Sequence, residues 1–234
     1  MQKPMQRQII LDTETTGLDP QSGDRIIEIG CIELIDRKAT NNLFHEYLNP
    51  EKAISIEALE IHGINNAFLA DKPRFADIAA MLISYLEGAE LIIHNAPFDL
   101  GFLNHEITRA NQQTGSVLPD IASICKITDS LKLAKSMHPG QRNSLDALCK
   151  RYQIDNSERE QHGAQLDAKL LAQVYLKMTG GQISLALDTR QNTYQTNQVN
   201  TSKNIRESKP HPPVKLVRAS EADLKQHQAW FNSK

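Results

Sequence analysis

Three runs of β-branched and aliphatic residues follow one another near the N-terminus, Ile9–Asp12, Arg25–Ile35 and Asn42–Leu48. Only turn-rich stretches such as Gly17-Leu18-Asp19-Pro20 and Asp36-Arg37-Lys38 separate them. Such runs read as strands because branched side chains pack well on a pleated surface. Short connections favour antiparallel neighbours, since a parallel return needs a longer crossover. The chain is thus predicted to begin with a three-strand antiparallel meander.

Helical patterns follow. After Pro73, the residues Phe75, Ile78, Ala79, Leu82 and Leu86 fall on one helical face, and Leu91–Ile93 reads as a short buried strand. Phe98–Arg109, Asp129–Met137, Ser144–Tyr152 and Gln165–Met178 are four further helix candidates. Strands first, then helices alternating with short strands, predict an α/β fold in which a mixed sheet is flanked by helices.

The first predicted strand ends in Asp12-Thr13-Glu14-Thr15-Thr16-Gly17. Residues two apart on a strand project from the same face, so both carboxylates aim at one spot. The apolar residues Ile9 to Leu11 place them at the edge of a hydrophobic sheet, where they need a cation or hydrogen-bond donors. Asp99 closes the segment His94-Asn95-Ala96-Pro97-Phe98-Asp99 in a first helical turn, a position the helix dipole favours even without chemistry. His162 and Asp167 form a third piece. Within one helix they would stand about 140° apart, so His162 is placed on the preceding loop and Asp167 in the first turn.

Each piece alone is weak, but three or four acids converging on rigid elements would supply the hard oxygen ligands of a two-cation site. His162, an imidazole that can carry a proton, would then accept that of an attacking water. No array of Lys or Arg accompanies the acids in the sequence. The ions must carry most of the charge stabilisation.

In this order the segments resemble the three exonuclease motifs of the DnaQ-like superfamily, in the branch with a histidine in its third motif, over roughly residues 7 to 175. The resemblance implies a ribonuclease-H-like fold and a 3′–5′ exonuclease using two divalent cations, Mg²⁺ or Mn²⁺. Asp12, Glu14 and Asp167 would hold the metals, with Asp99 completing the set. Further stretches, among them Ile61-His62-Gly63-Ile64 and Arg142-Asn143-Ser144-Leu145-Asp146, are similar to the proofreading subunits of bacterial DNA polymerase III. By that likeness Glu57 and His62 would contact the terminal nucleotide, and Thr15, Thr16, Asn95 and Phe98 would line the same cleft.

Past Gly180-Gly181 the composition changes. Residues 188–213 are dominated by Gln, Asn, Thr, Ser, Lys and Pro and are expected to form a flexible linker after an exonuclease domain spanning 1–181. Gln182, Leu185 and Leu187 in segment 182–187 resemble a short sliding-clamp-binding motif. The tail 214–234, which carries Trp230 and Phe231, has no core of its own to join and is expected to dock on another protein. The resemblance makes that partner the polymerase III alpha subunit, with a frayed or single-stranded DNA 3′ end as substrate and a small accessory subunit as a further candidate partner.

Composition sets limits on these readings. With 26 Lys and Arg against 28 Asp and Glu, the net charge of -2 leaves no global footprint of a DNA-coating protein, so nucleic acid must be met at a local site. Cys31, Cys125 and Cys149 show no paired spacing and read as buried thiols of a reducing compartment. A polar N-terminus and the lack of a long apolar run predict a soluble, cytoplasmic protein. Two rivals stay open: a stand-alone exoribonuclease that trims RNA, and a non-catalytic scaffold of the same fold.

Overall fold

In the computed structural model, which describes residues 6–159 and 161–180, the first strand runs further than its apolar stretch. β1 spans Arg7–Thr15 and pairs antiparallel with β2 (Ile26–Ile35), which pairs antiparallel with β3 (Lys38–Tyr47). β4 (Glu90–Ile93) lies parallel to β1 on its other side, and β5 (Lys126–Asp129) lies parallel to β4. The sheet order β3-β2-β1-β4-β5 is the expected meander extended by parallel strands. The helices are α1 (Ile56–His62), α2 (Asn66–Leu69), α3 (Phe75–Leu86), α4 (Ala96–Thr114), α5 (Ile121–Ile124), α6 (Ser130–Met137), α7 (Leu145–Tyr152) and α8 (Ala164–Gly180).

Alternation along β1 sends its side chains into two separate cores. Ile9 and Leu11 pack with Phe75, Leu82, Phe102 and Ile107 from α3 and α4. Ile10 faces the other way and packs with Leu148, Leu171 and Val174 from α7 and α8. Full burial of one such side chain stabilises by about 1.5–3 kcal/mol. A one-residue slip of β1 would keep apolar residues inside but would turn Asp12 and Glu14 into the α3–α4 core. Burying two unpaired carboxylates there costs far more than any apolar exchange, so the acids themselves help fix the register.

Several helix ends carry the caps that their sequence offers. The Ser144 side chain accepts from the N–H of Ala147 at the start of α7, and Asp129 accepts from those of Leu131 and Lys132 at the start of α6. Both residues therefore stand just outside the helices they were predicted to begin. All three cysteines are buried and unpaired, and burial raises each thiol above its usual range. Among the described residues no helix is long and apolar enough to cross a membrane. The segments 182–187, 188–213 and 214–234, with Gln182, Leu185 and Leu187, lie outside the described residues.

Candidate active site

The face of β1 that carries Ile10 also carries Asp12 and Glu14, and it looks toward α8. Asp12 stands opposite Gly30 on β2, and Glu14 opposite Glu28. A Cβ on Gly30 would lie 2.4 Å from the backbone of Ala164, so only glycine lets the first turn of α8 rest directly on the sheet. Glu28 completes the seat: its Oε2 accepts the N–H of Ala164 at 3.1 Å, a carboxylate at the positive end of a helix. Seated this way, α8 brings the buried Asp167 beside the strand acids.

His162 precedes α8, as its spacing from Asp167 requires. Its backbone N–H donates to the carbonyl of Ile61 at 3.1 Å, which ties the loop to α1. On the other side, Asn95 adopts a left-handed conformation (φ 73°) between β4 and α4 and turns the chain so that Asp99 falls in the first turn of α4. Asp99 is buried, and its Oδ1 accepts from the Thr13 hydroxyl at 2.7 Å.

All five predicted residues, Asp12, Glu14, Asp99, His162 and Asp167, line one cleft of about 300 Å³. Glu14, His162 and Asp167 come closest, with a ligand atom from each within 4.8 Å of the others. Burial, reinforced by Asp99, Glu14 and Asp167, holds the Asp12 carboxyl well above the usual range. Burial and the charges of Asp167 and Glu28 push Glu14 up to about 8. Burial likewise raises Asp99 to about 7, against the hydrogen bond from Thr13. Carboxyls crowded like this cannot all ionise unaided, and a set of hard oxygen donors that repel one another fits divalent cations.

A second pocket of about 170 Å³ adjoins the first and shares Thr13, Glu14 and Phe98 with it. Thr15, Glu57 and His62 line it, so three of the expected nucleotide contacts meet the acids through a common wall. His62 is buried, which lowers its pKa and keeps the ring neutral. Its Nδ1 accepts the N–H of Ile64 at 3.0 Å, leaving the proton on Nε2, which lies near the Thr15 backbone but makes no well-formed hydrogen bond among the described residues. A buried donor in that state is available to a bound molecule.

Two expected cleft residues are placed elsewhere. Thr16 is fully buried, and its hydroxyl bridges Asp24 Oδ1 and the N–H of Arg25, so it shapes the loop after β1 and does not line the cleft. Asn95 is exposed and serves through its backbone; its neighbour His94 lines the cleft instead. Arg159 went unread in the sequence. Its guanidinium pairs with both oxygens of Asp167, at 2.5 and 2.6 Å, and reaches Asp146 at 2.5 Å. It sits in a polar stretch with no periodicity, three residues before His162, and nothing in its spacing marks it.

The comparisons agree with this geometry. Residues 9–175 match the RNase_T family model, described as exonuclease. The DNA polymerase III subunit epsilon of Escherichia coli (strain K12) is 45% identical over 233 residues, covering 98% of this chain and 93% of that protein. Its counterpart in Rickettsia felis is 42% identical over 231 residues, covering 97% and 96%.

The chain belongs to the exonuclease family, among the DNA polymerase III epsilon subunits.

Divalent-metal dependence is a property of that family. A solved structure described as exonuclease X in complex with 5′ overhanging duplex DNA is 28% identical, with a TM-score of 0.56, covering 74% of this chain and 91% of the other. A solved structure described as 3′-end specific recognition of histone mRNA stem-loop by 3′-exonuclease shares the fold, with a TM-score of 0.61 at 17% identity, over 76% of this chain and 65% of that one.

Proposed function

We propose that this exonuclease removes mispaired nucleotides from DNA 3′ ends as monophosphates, proofreading for a bacterial DNA polymerase III. The observation that supports it most is the convergence of Asp12, Glu14, Asp99, His162 and Asp167 on one cleft that shares Thr13, Glu14 and Phe98 with a second pocket. In this reading Asp12, Glu14 and Asp167 hold two divalent cations, Mg²⁺ or Mn²⁺, with Asp99 supporting the set. Such ions, when bound, supply neutralisation of the phosphate charge and activation of water.

The residues of the chain divide the remaining work. The His162 ring, 46% exposed, sits at the cleft mouth, where it can take a proton from an attacking water and hand it to solvent. Thr15, Glu57 and the Nε2–H of His62 hold the terminal nucleoside, and the half-buried Phe98 stands where the two pockets join, as a surface for the last base. Because both pockets share the wall of Thr13 and Glu14, a terminal nucleoside in one pocket puts its phosphodiester over the acids. Selection of errors then needs no reading of base identity, since a mispaired end frays at lower cost.

Association with polymerase III goes with the epsilon relatives. The finer assignment, residues 1–181 as the catalytic domain, 182–187 on the sliding clamp, 188–213 as tether and 214–234 on the alpha subunit, fits weak intrinsic affinity for single strands offset by local concentration. Comparing hydrolysis of single-stranded DNA and RNA of one sequence tests the substrate. DNA is expected to be cut at least as fast; a strong RNA preference would favour the trimming rival.

A further inference from the structure

One guanidinium enters the carboxylate cluster. Among the described residues, Arg159 is the only arginine or lysine that forms an ion pair with any of Asp12, Glu14, Asp99 or Asp167. Its side chain is 6% exposed, and four of its five N–H donors are engaged. Nε and Nη2 donate to the two oxygens of Asp167, Nη1 donates to Asp146, and Nη2 also reaches His162 Nδ1 at 3.0 Å. A guanidinium offers only donors. Nδ1 must therefore be the acceptor, and the lone pair of the histidine is occupied.

We infer that Arg159 is the counter-ion of the metal-free centre, displaced from Asp167 by an incoming divalent cation, and that its departure frees the His162 lone pair. The inference rests on the metal-centre reading given above. Both Asp167 oxygens accept from the guanidinium in a planar, bidentate pair, so a cation that takes up that carboxylate competes with Arg159 for the same negative charge and repels the guanidinium beside it. The pair is nonetheless built to come apart. Arg159 stands between α7 and α8 outside any helix or strand, and Asp146, 59% exposed at the cleft mouth, can keep the guanidinium when Asp167 releases it.

The exchange has a thermodynamic signature. A buried carboxylate stripped of its partner is strongly destabilising, so Arg159 supports the fold mainly while metal is absent. Whatever stabilises only the metal-free state weakens metal binding by the same factor. Arginine at this position thus lowers cation affinity, holds the site in shape without metal, and keeps the base idle until the ions arrive.

The test uses the full chain, Mn²⁺ as probe and no nucleic acid. Arg159→Gln and Arg159→Ala are compared with wild type by titration calorimetry and by thermal unfolding in EDTA and in saturating Mn²⁺. The variants are expected to melt lower in EDTA, to recover in Mn²⁺, and to bind Mn²⁺ about tenfold more tightly. Affinity equal to or below that of wild type in both variants overturns the inference. Failure of the wild-type chain itself to bind Mn²⁺ would instead remove the metal centre on which it rests.

Discussion

Without metal, Glu14 keeps a proton that an exposed glutamate sheds near pH 4.5, because burial and the neighbouring charges of Asp167 and Glu28 raise it to about 8. Asp99, raised to about 7, behaves alike. A raised carboxyl binds more protons folded than unfolded, so its contribution is whole below the unfolded pKa and is lost as pH rises through the folded one. In EDTA the melting temperature should therefore fall between about pH 4.5 and about pH 8, and saturating Mg²⁺ should flatten that slope. A melting temperature that is flat or rising over this window in EDTA would contradict the electrostatics described. At this scale the sequence carries most of the site. Strand spacing puts Asp12 and Glu14 together, and helix geometry separates His162 from Asp167. Arg159 escapes such reasoning because a loop has no period, and Thr16 misleads because adjacent threonines look alike until the fold sets Thr15 in the second pocket and ties the Thr16 hydroxyl to Asp24 and Arg25.

Elements are legible where their buried face is apolar. The meander and the helices α3 and α8 follow from hydrophobic spacing, but β1 continues through Thr13, Glu14 and Thr15, polar residues buried by neighbours that local sequence does not name. The helix α1 hides for the opposite reason. Its apolar Ile56 and Ile61 face outward while His62 is buried, so the periodicity points the wrong way despite a Ser55 cap and a left-handed Gly63. Gly30 shows how one element sets another, since the seat of α8 depends on a missing side chain. Gly30→Ala must push Ala164 away and with it Asp167. The substitution should cost about 1–3 kcal/mol in unfolding free energy and, because a 1 Å displacement can cost about 100-fold in rate, slow nucleotide release accordingly. A variant with wild-type kinetics and melting temperature would show that α8 is not seated as described.

As a whole molecule, the chain pairs a sheet-borne site with a C-terminal stretch whose composition changes past Gly181. If residues 1–181 are the catalytic domain and the tail is the docking device, cutting after Gly181 leaves single-strand hydrolysis intact and abolishes co-purification with the polymerase. Retained co-purification would move the docking surface onto the catalytic domain. The most direct test is the release of nucleoside monophosphates from a single-stranded DNA 3′ end in Mn²⁺, compared between the full wild-type chain and Asp12→Ala with equal melting temperatures. If Asp12 holds a metal, its loss should lower the rate by more than about 100-fold, beyond what outer-shell partners of a metal cost when mutated. Equal release by the two proteins would mean that the cleft of Asp12, Glu14, Asp99, His162 and Asp167 is not where the bond is broken.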